Sequence, residues 1–325
     1  LQKEKLVHET DWFWNYGVWL ITSLAITLAL FGTGIFALMK WFGNRQAERE
    51  RREDEQKHLL EDRQAEREKR GEEHFQSVVE ELGSTNQVAQ VGAAITLRTF
   101  LRPGYEQFYR QSFDLAVAHL RLRHVDADTA EPLDSLSQAL ITLFKESFPH
   151  ARQHVQNMQQ LDTASIQLDN AYLAGADLEH VWMPQSYLRQ TVLSRAHLSG
   201  ANLRKANLHT AHLRKADLRD ADLSGAHFNG TDLSGARLNK ADLSGTNLDY
   251  AHLNKADLSG ANLSGADLYG ANLYGANLSG ADLSGADLNG AHLQGASQFE
   301  KTKLQNVKGL TQEELETYKI KGAII

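Results

Sequence analysis

The stretch 168–293 limits what this chain can fold into more than any other. Every fifth residue from Leu168 to Leu293 is Leu, apart from Met183 and Phe228, through 26 positions with no insertion. Two residues before each stands a small residue, mostly Ala, as at Ala171, Ala176, Ala196, Ala201 and on to Ala291. Asp, Asn or His usually lies between them, and Ser-Gly often follows, giving Ala-Asp-Leu-Ser-Gly at 221–225, 256–260 and 281–285. A period of five fits neither the 3.6 of a helix nor the 2 of a flat strand. Fixed self-similarity of this kind denotes a solenoid, in which each unit buries its apolar face only against its neighbours.

This pattern closely resembles the pentapeptide-repeat family. The resemblance implies a right-handed quadrilateral β-helix with one pentapeptide per face and four per coil. In such a fold the small residue and the Leu point inward, and the other three positions point out. At the usual inter-strand spacing the repeats make a rod roughly 31 Å long. Each inward Leu contributes on the order of 1.5–3 kcal/mol by burial. Function does not follow from such a fold.

The 325 residues leave room for further domains. A net charge of −7 argues against a nucleic-acid partner. The absence of Cys removes disulfides and thiolate chemistry.

No charged residue occurs from 12 to 39, and a bilayer needs about 20 apolar residues. Trp12, Trp14, Tyr16 and Trp19 crowd one end and Trp41 and Phe42 the other, as interfacial aromatic belts do. The segment 12–42 is therefore expected to be a transmembrane helix after a tail, 1–11; a buried soluble helix is the competing reading. Lys40, Arg45, Arg49, Arg51, Arg52 and Lys57 follow the span, against Lys3 and Lys5 before it. The positive-inside rule then puts the N-terminus outside and the bulk in the cytoplasm, as a single-pass inner-membrane protein. Ala25, Ala29 and Gly32 share one face, and Ser23, Thr27 and Gly34 another. Small residues so spaced allow close helix approach, and a homo-oligomer through the span is expected.

The charged segment 43–73 reads as a solvated helical stalk roughly 45 Å long, supported by the i,i+4 pairs Glu48–Arg52, Glu53–Lys57 and Glu66–Arg70. A disordered linker is the alternative. Residues 74–160 read as an α-helical module of four amphipathic helices. The first carries Phe75, Val78, Val79 and Leu82 and stops at Gly83. The second starts at a Ser84 cap and ends at Pro103-Gly104. The third runs from about Tyr105 to Arg123, and the fourth from Asp134 to Phe148. The run 82–97 resembles helical segments that precede such repeats in bacterial proteins. His124-Val-Asp-Ala-Asp128 offers hard metal ligands, but a polar inter-helix loop is preferred and no metal or cofactor is expected.

The β-helix is expected over 161–300. Tyr172, Trp182, Tyr187 and Val192 face outward in its first coils, and the helical module is the candidate to cover them. After Ala296 the register lapses into a capping segment, 301–325, where Thr311-Gln-Glu-Glu314 forms a capping box. Four-sided stacking makes residues twenty apart neighbours. The column Asp177, His197, Asp217, Arg237, Asp257, Asn277 then reads as a ladder of alternating charge. In the column His212, Asp232, His252, Asn272, His292 the histidines stand roughly 9.6 Å apart, too far to share one zinc. His209 and His212 straddle one corner and are the remaining pair.

Candidate interaction residues are the exposed aromatics Tyr250, Tyr269 and Tyr274, read as a cluster near one corner. The basic proximal set Arg195, Arg204, Lys205, Arg214 and Lys215 could meet anionic headgroups or an acidic partner. A flat wall of Ser224, Ser244, Ser264 and Ser284 with Gly225, Gly245, Gly265 and Gly285 also suits docking. No nucleophile–base pair or phosphate loop stands out, and an apolar rod interior leaves no substrate pocket, so an enzyme is not expected. The leading reading is a membrane-tethered interaction scaffold for protein partners. A self-assembling membrane effector or channel is the alternative. The family resemblance adds a third reading, a DNA-mimicking gyrase inhibitor, which the basic proximal half disfavours.

Overall fold

A computed structural model describes residues 17–123, 133–296 and 298–325. The tail 1–11, the belt residues Trp12, Trp14 and Tyr16, and the His124–Asp128 motif lie outside the described residues. The chain forms two compact units, Leu1–Glu73 and His74–Ile325.

In the first unit one helix dominates, α1, Val18–Leu82, whose final turns belong to the second unit. The apolar segment, the charged segment and the first module helix are thus one uninterrupted helix rather than three. The composition changes sharply along it, but no Pro intervenes, and a Gly such as Gly43 or Gly71 costs a helix only about 1 kcal/mol. The apolar window is long enough to cross a membrane and is not buried. The charged stretch is helical throughout, unlike a disordered linker. Of the three expected acid–base pairs, Glu66–Arg70 closes at 2.5 Å. The other two do not reach ion-pair distance, as suits exposed side chains that gain little by pairing.

Four helices pack together at the start of the second unit: the end of α1, α2 (Gln87–Leu97), α3 (Tyr109–Leu122) and α4 (Ser135–Arg152). Phe75 stacks on Phe108 at 4.5 Å, and Phe100 meets both edge-on. Phe113, Phe144 and Phe148 form the other half of this core. Three boundaries differ from expectation. Asn86, not Ser84, caps α2, because its Oδ1 accepts from the Val88 and Ala89 N–H groups. A 3-10 turn, Glu106–Phe108, precedes α3, and the Glu106 carboxylate is held back by the Gly104 N–H. Helix α4 continues through Pro149, since a proline there removes one intrahelical bond while buried Ala151 and paired Arg152 hold the last turn.

From residue 161 the chain winds into a four-sided coil in which parallel bridges join residues twenty apart, from Gln167↔Tyr187 to Asn272↔His292. Leu168, Leu173 and their successors are fully buried, as are most of the preceding alanines. We number the faces by their bridging residues: face I holds 167, 187 and on to 287; face II holds 172 to 292; face III holds 177 to 277; face IV holds 182 to 282. Each pentapeptide gives three backbone bonds to its neighbouring coils, as in Leu168 N–H to Tyr187 O (2.8 Å), Tyr187 N–H to Ile166 O (3.0 Å) and Asn170 N–H to Arg189 O (2.9 Å).

The coil does not end near 300. A one-residue insertion shifts the spacing to twenty-one, and bridging resumes at Asn277↔Gln298, Asp282↔Lys303 and Asp287↔Lys308. Phe299 and Leu304 take over the inward positions. Gly309 turns this last coil at φ +82, so close to Asn289 that an added Cβ would lie 2.3 Å from its backbone nitrogen. Helix α5, Gln312–Ile320, opens with the expected Thr311/Glu314 capping box and stacks Tyr318 on Phe299 at 4.3 Å. The chain then returns to bridge Ile324 to Lys303.

The opposite end is closed by cations. A first coil leaves carbonyls that would otherwise accept N–H groups from a preceding coil. On face IV Arg121 donates to the carbonyls of Asp162 (2.9 Å) and Ala164 (3.0 Å). On face I Arg123 donates to those of Gln167 (3.4 Å) and Asp169 (3.1 Å). Lys145 donates to Ala174 on face II at 2.9 Å, and Arg152 to Glu179 on face III at 3.1 Å. Each face therefore ends on one cation from the helices. The helices do not cover the outward aromatics as expected: Tyr172 and Tyr187 remain 67% and 42% exposed. The helices meet the open end of the first coil, and Lys145 reaches across to the Tyr172 ring, at 5.8 Å.

Candidate interaction surface

The outward Asp and Asn residues have a local task that charge alone does not reveal. In most pentapeptides the first corner residue has a backbone N–H with no partner in the neighbouring coils, Arg189, whose N–H donates to Asp169 one coil away at 2.7 Å, being an exception. An Asp or Asn two residues earlier accepts it, as an Asx turn does. Ser224 donates to Asp222 (3.2 Å), Ser244 to Asp242 (3.0 Å), Ser264 to Asn262 (3.1 Å) and Ser284 to Asp282 (3.0 Å), which completes the corner between faces IV and I. The Ser/Gly wall expected from the sequence is this capped corner.

The charge ladder on face III is present but is supplemented from within each pentapeptide. Arg219 holds Asp217 with two bonds of 2.7 Å and keeps its carboxyl below the usual range, while Arg237 adds a weaker contact at 3.4 Å. On face IV the hydrogen bond from Lys303, with further help from Ser284, lowers Asp282 to about 2. On the corner between faces I and II burial, followed by the neighbouring Asp267, pushes Asp249 up, and its Oδ1 has no hydrogen-bond partner among the described residues.

The corner between faces II and III is different. Its outward neighbours are Val192, His212, Asp232, His252, Asn272 and His292. Only Asp232 and Asn272 cap, accepting from Ser234 and Tyr274, each at 3.0 Å. The N–H groups of Ser194, Arg214, Asn254 and Gln294 have no protein acceptor among the described residues. The same corner carries Arg195, Arg214, Lys215 and Lys255. Arg214 stands 3.8 Å from Asp232, and the other three have no ion-pair partner among the described residues.

The candidate residues sort onto this geometry. Tyr250 and Tyr269 meet edge-on at 5.5 Å on the corner between faces I and II. Tyr274 is not part of that cluster: it lies across face II on the next corner, with its ring against Gly295. All three border face II and are about half exposed. The basic set is not one patch either. Arg195, Arg214 and Lys215 share the corner between faces II and III, whereas Arg204 and Lys205 occupy the diagonally opposite one. The twenty-residue register separates them, since they fall on pentapeptides two apart. Ala25, Ala29 and Gly32 share an exposed face of α1, and an added Cβ at Gly32 meets nothing. No group of three metal-ligating side chains converges among the described residues.

A family model described as pentapeptide repeats matches in eight copies, at 171–209, 201–239, 211–249, 236–273 and 266–308. This chain belongs to the pentapeptide-repeat family. Its coil is accordingly a right-handed quadrilateral β-helix. Among solved pentapeptide-repeat structures, it is 34% identical to HetL, involved in heterocyst differentiation regulation in the cyanobacterium Nostoc sp. strain PCC 7120. That match covers 45% of this chain and 81% of HetL, with a TM-score of 0.22. Rfr23 from the cyanobacterium Cyanothece 51142 is 30% identical, over 42% of this chain and 90% of its own, with a TM-score of 0.27. QnrB1, a plasmid-mediated fluoroquinolone resistance protein, is 24% identical over 50% and 89% respectively, also at 0.27. No curated protein matches the chain.

Proposed function

We propose that this pentapeptide-repeat protein is a membrane-tethered, non-enzymatic scaffold that offers its rod to protein partners in the cytoplasm. The observation that carries the tether is the apolar part of α1, where Leu24, Leu28, Phe31, Ile35 and Leu38 are all more than half exposed. An apolar helical stretch this long with no packing partner among the described residues suits a bilayer. The cations that follow it favour an outside N-terminus and a cytoplasmic rod. A scaffold is favoured over an enzyme because the rod interior is filled with Leu and Ala side chains. Partners then meet only the exterior.

The second reading is a self-assembling effector whose spans form a pore, with Ala25, Ala29 and Gly32 at their contact. The hydroxyls weigh against an aqueous lining. Thr22, Ser23, Thr27 and Thr33 each donate to their own helix backbone, at 2.8–3.0 Å, which leaves only their acceptor lone pairs for water.

The tether and orientation are tested together by cysteine labelling, since the chain has no Cys of its own. The variant Ser264→Cys is expected to react with a membrane-impermeant maleimide in inverted membrane vesicles and not in intact cells. Labelling in intact cells would reverse the topology. Conductance of liposomes carrying the purified chain would favour the pore.

A further inference from the structure

We propose that the corner between faces II and III is an anion-recognising edge that binds an acidic segment of a protein partner. The inference rests on the scaffold reading for its location and adds the surface and the chemistry of its occupant. Two independent observations converge on this edge. The backbone N–H groups of Ser194, Arg214, Asn254 and Gln294 have no protein acceptor among the described residues, because Val192, His212, His252 and His292 stand where an Asp or Asn would cap them. The corner between faces IV and I, by contrast, has its N–H groups capped from Arg204 through Ser284. The cations Arg195, Arg214, Lys215 and Lys255 line the same edge.

Backbone N–H groups beside cations, stepped at about 4.8 Å multiples along a stiff rod, present an anion with fixed donors and complementary charge. Of the two faces that border the edge, face II carries one outward acid, Asp232, and face III carries Asp177, Asp217 and Asp257, of which Arg152 holds Asp177 and Arg219 holds Asp217. The exposed Tyr250, Tyr269 and Tyr274 border face II, and exposed tyrosines favour a protein surface over a lipid headgroup layer. The net charge of −7 opposes a long nucleic-acid polyanion. An acidic peptide segment is the occupant that fits these observations together.

The test titrates the full chain in detergent with a fluorescent peptide of alternating Glu and Ser, alongside a Lys/Ser peptide and phosphatidylglycerol vesicles. His212→Asn with His252→Asn caps the Arg214 and Asn254 N–H groups without adding charge. This pair is expected to weaken the Glu/Ser peptide about tenfold, as loss of central contacts does. His227→Asn caps a corresponding N–H on the corner between faces I and II and is expected to change affinity less than about twofold. Arg195→Gln, Lys215→Gln and Lys255→Gln together are expected to abolish binding, while Arg204→Gln with Lys205→Gln leaves it. Melting no lower than that of the parent chain in each variant separates lost binding from lost folding. Equal losses from both corners, no preference over the Lys/Ser peptide, or binding of the vesicles alone would overturn the proposal. Peptide binding by a chain that fails the topology test would leave this edge standing and remove only the tether.

Discussion

Arg152 grips Asp177 with both guanidinium branches, at 2.9 and 2.8 Å, and one of them also donates to the Glu179 carbonyl at 3.1 Å. One side chain at the end of α4 thus pairs with a carboxylate on face III and occupies an edge carbonyl of the first coil. The helices end the solenoid chemically, with cations in place of the N–H groups of another coil.

Replacing Arg152 with Met keeps the aliphatic packing and removes the donors. The expected cost is about 1.5–3 kcal/mol, the range for hydrogen bonds to a charged group, with faster amide exchange confined to residues 161–180. A thermal melt with hydrogen-exchange mass spectrometry checks both; uniform loosening of the whole rod would contradict the edge role.

Asx capping gives a substitution of each sign. Asp257 accepts the Ser259 N–H at 3.1 Å and its hydroxyl at 2.7 Å, so Asp257→Ala is expected to cost about 0.5–1.5 kcal/mol. His227→Asn supplies a missing cap to Asn229 and is expected to raise stability by about 0.5 kcal/mol. Denaturant titration of the two variants reads the pair.

Thr210 holds a corner at φ +54, a conformation unfavourable to a β-branched residue. Relief of roughly 1–2 kcal/mol of left-handed strain exceeds the entropy that glycine loses, about 0.5–1 kcal/mol. Thr210→Gly is therefore expected to raise the melting temperature, and a fall would mean that the corner tolerates Thr without strain.

Asp282 has a folded value of about 2, below the ordinary carboxylate range. The stability it contributes is present above the unfolded value and is lost as pH falls through about 2. Asp282→Asn is expected to lower stability at neutral pH, change it little near pH 2, and so flatten that part of the acid-stability curve. Melting between pH 1.5 and 5, roughly the span of the two protonation states, measures it.

The fivefold rhythm made the coil, its register and its inward residues legible, because burial in a solenoid is local and periodic. The C-terminal boundary was harder, although Phe299 and Leu304 retain the rhythm one residue out of phase. The caps were missed because an Asp in an outward column looks like surface charge until the Ser224 N–H is traced to it. The sequence also could not show that Arg121, Arg123, Lys145 and Arg152 would each reach a different face, since those contacts depend on helix packing. Reading the columns but not the corners joined Tyr274 to Tyr250 and Tyr269, and merged two opposite basic corners into one patch.

The central claim is that the exposed apolar stretch of α1 lies in a bilayer. Alkaline carbonate washing of membranes from cells expressing the full chain tests it most directly. The chain is expected to stay in the membrane pellet and to be released only by detergent. Release into the carbonate supernatant, as a protein that stays dissolved without detergent, would contradict the account.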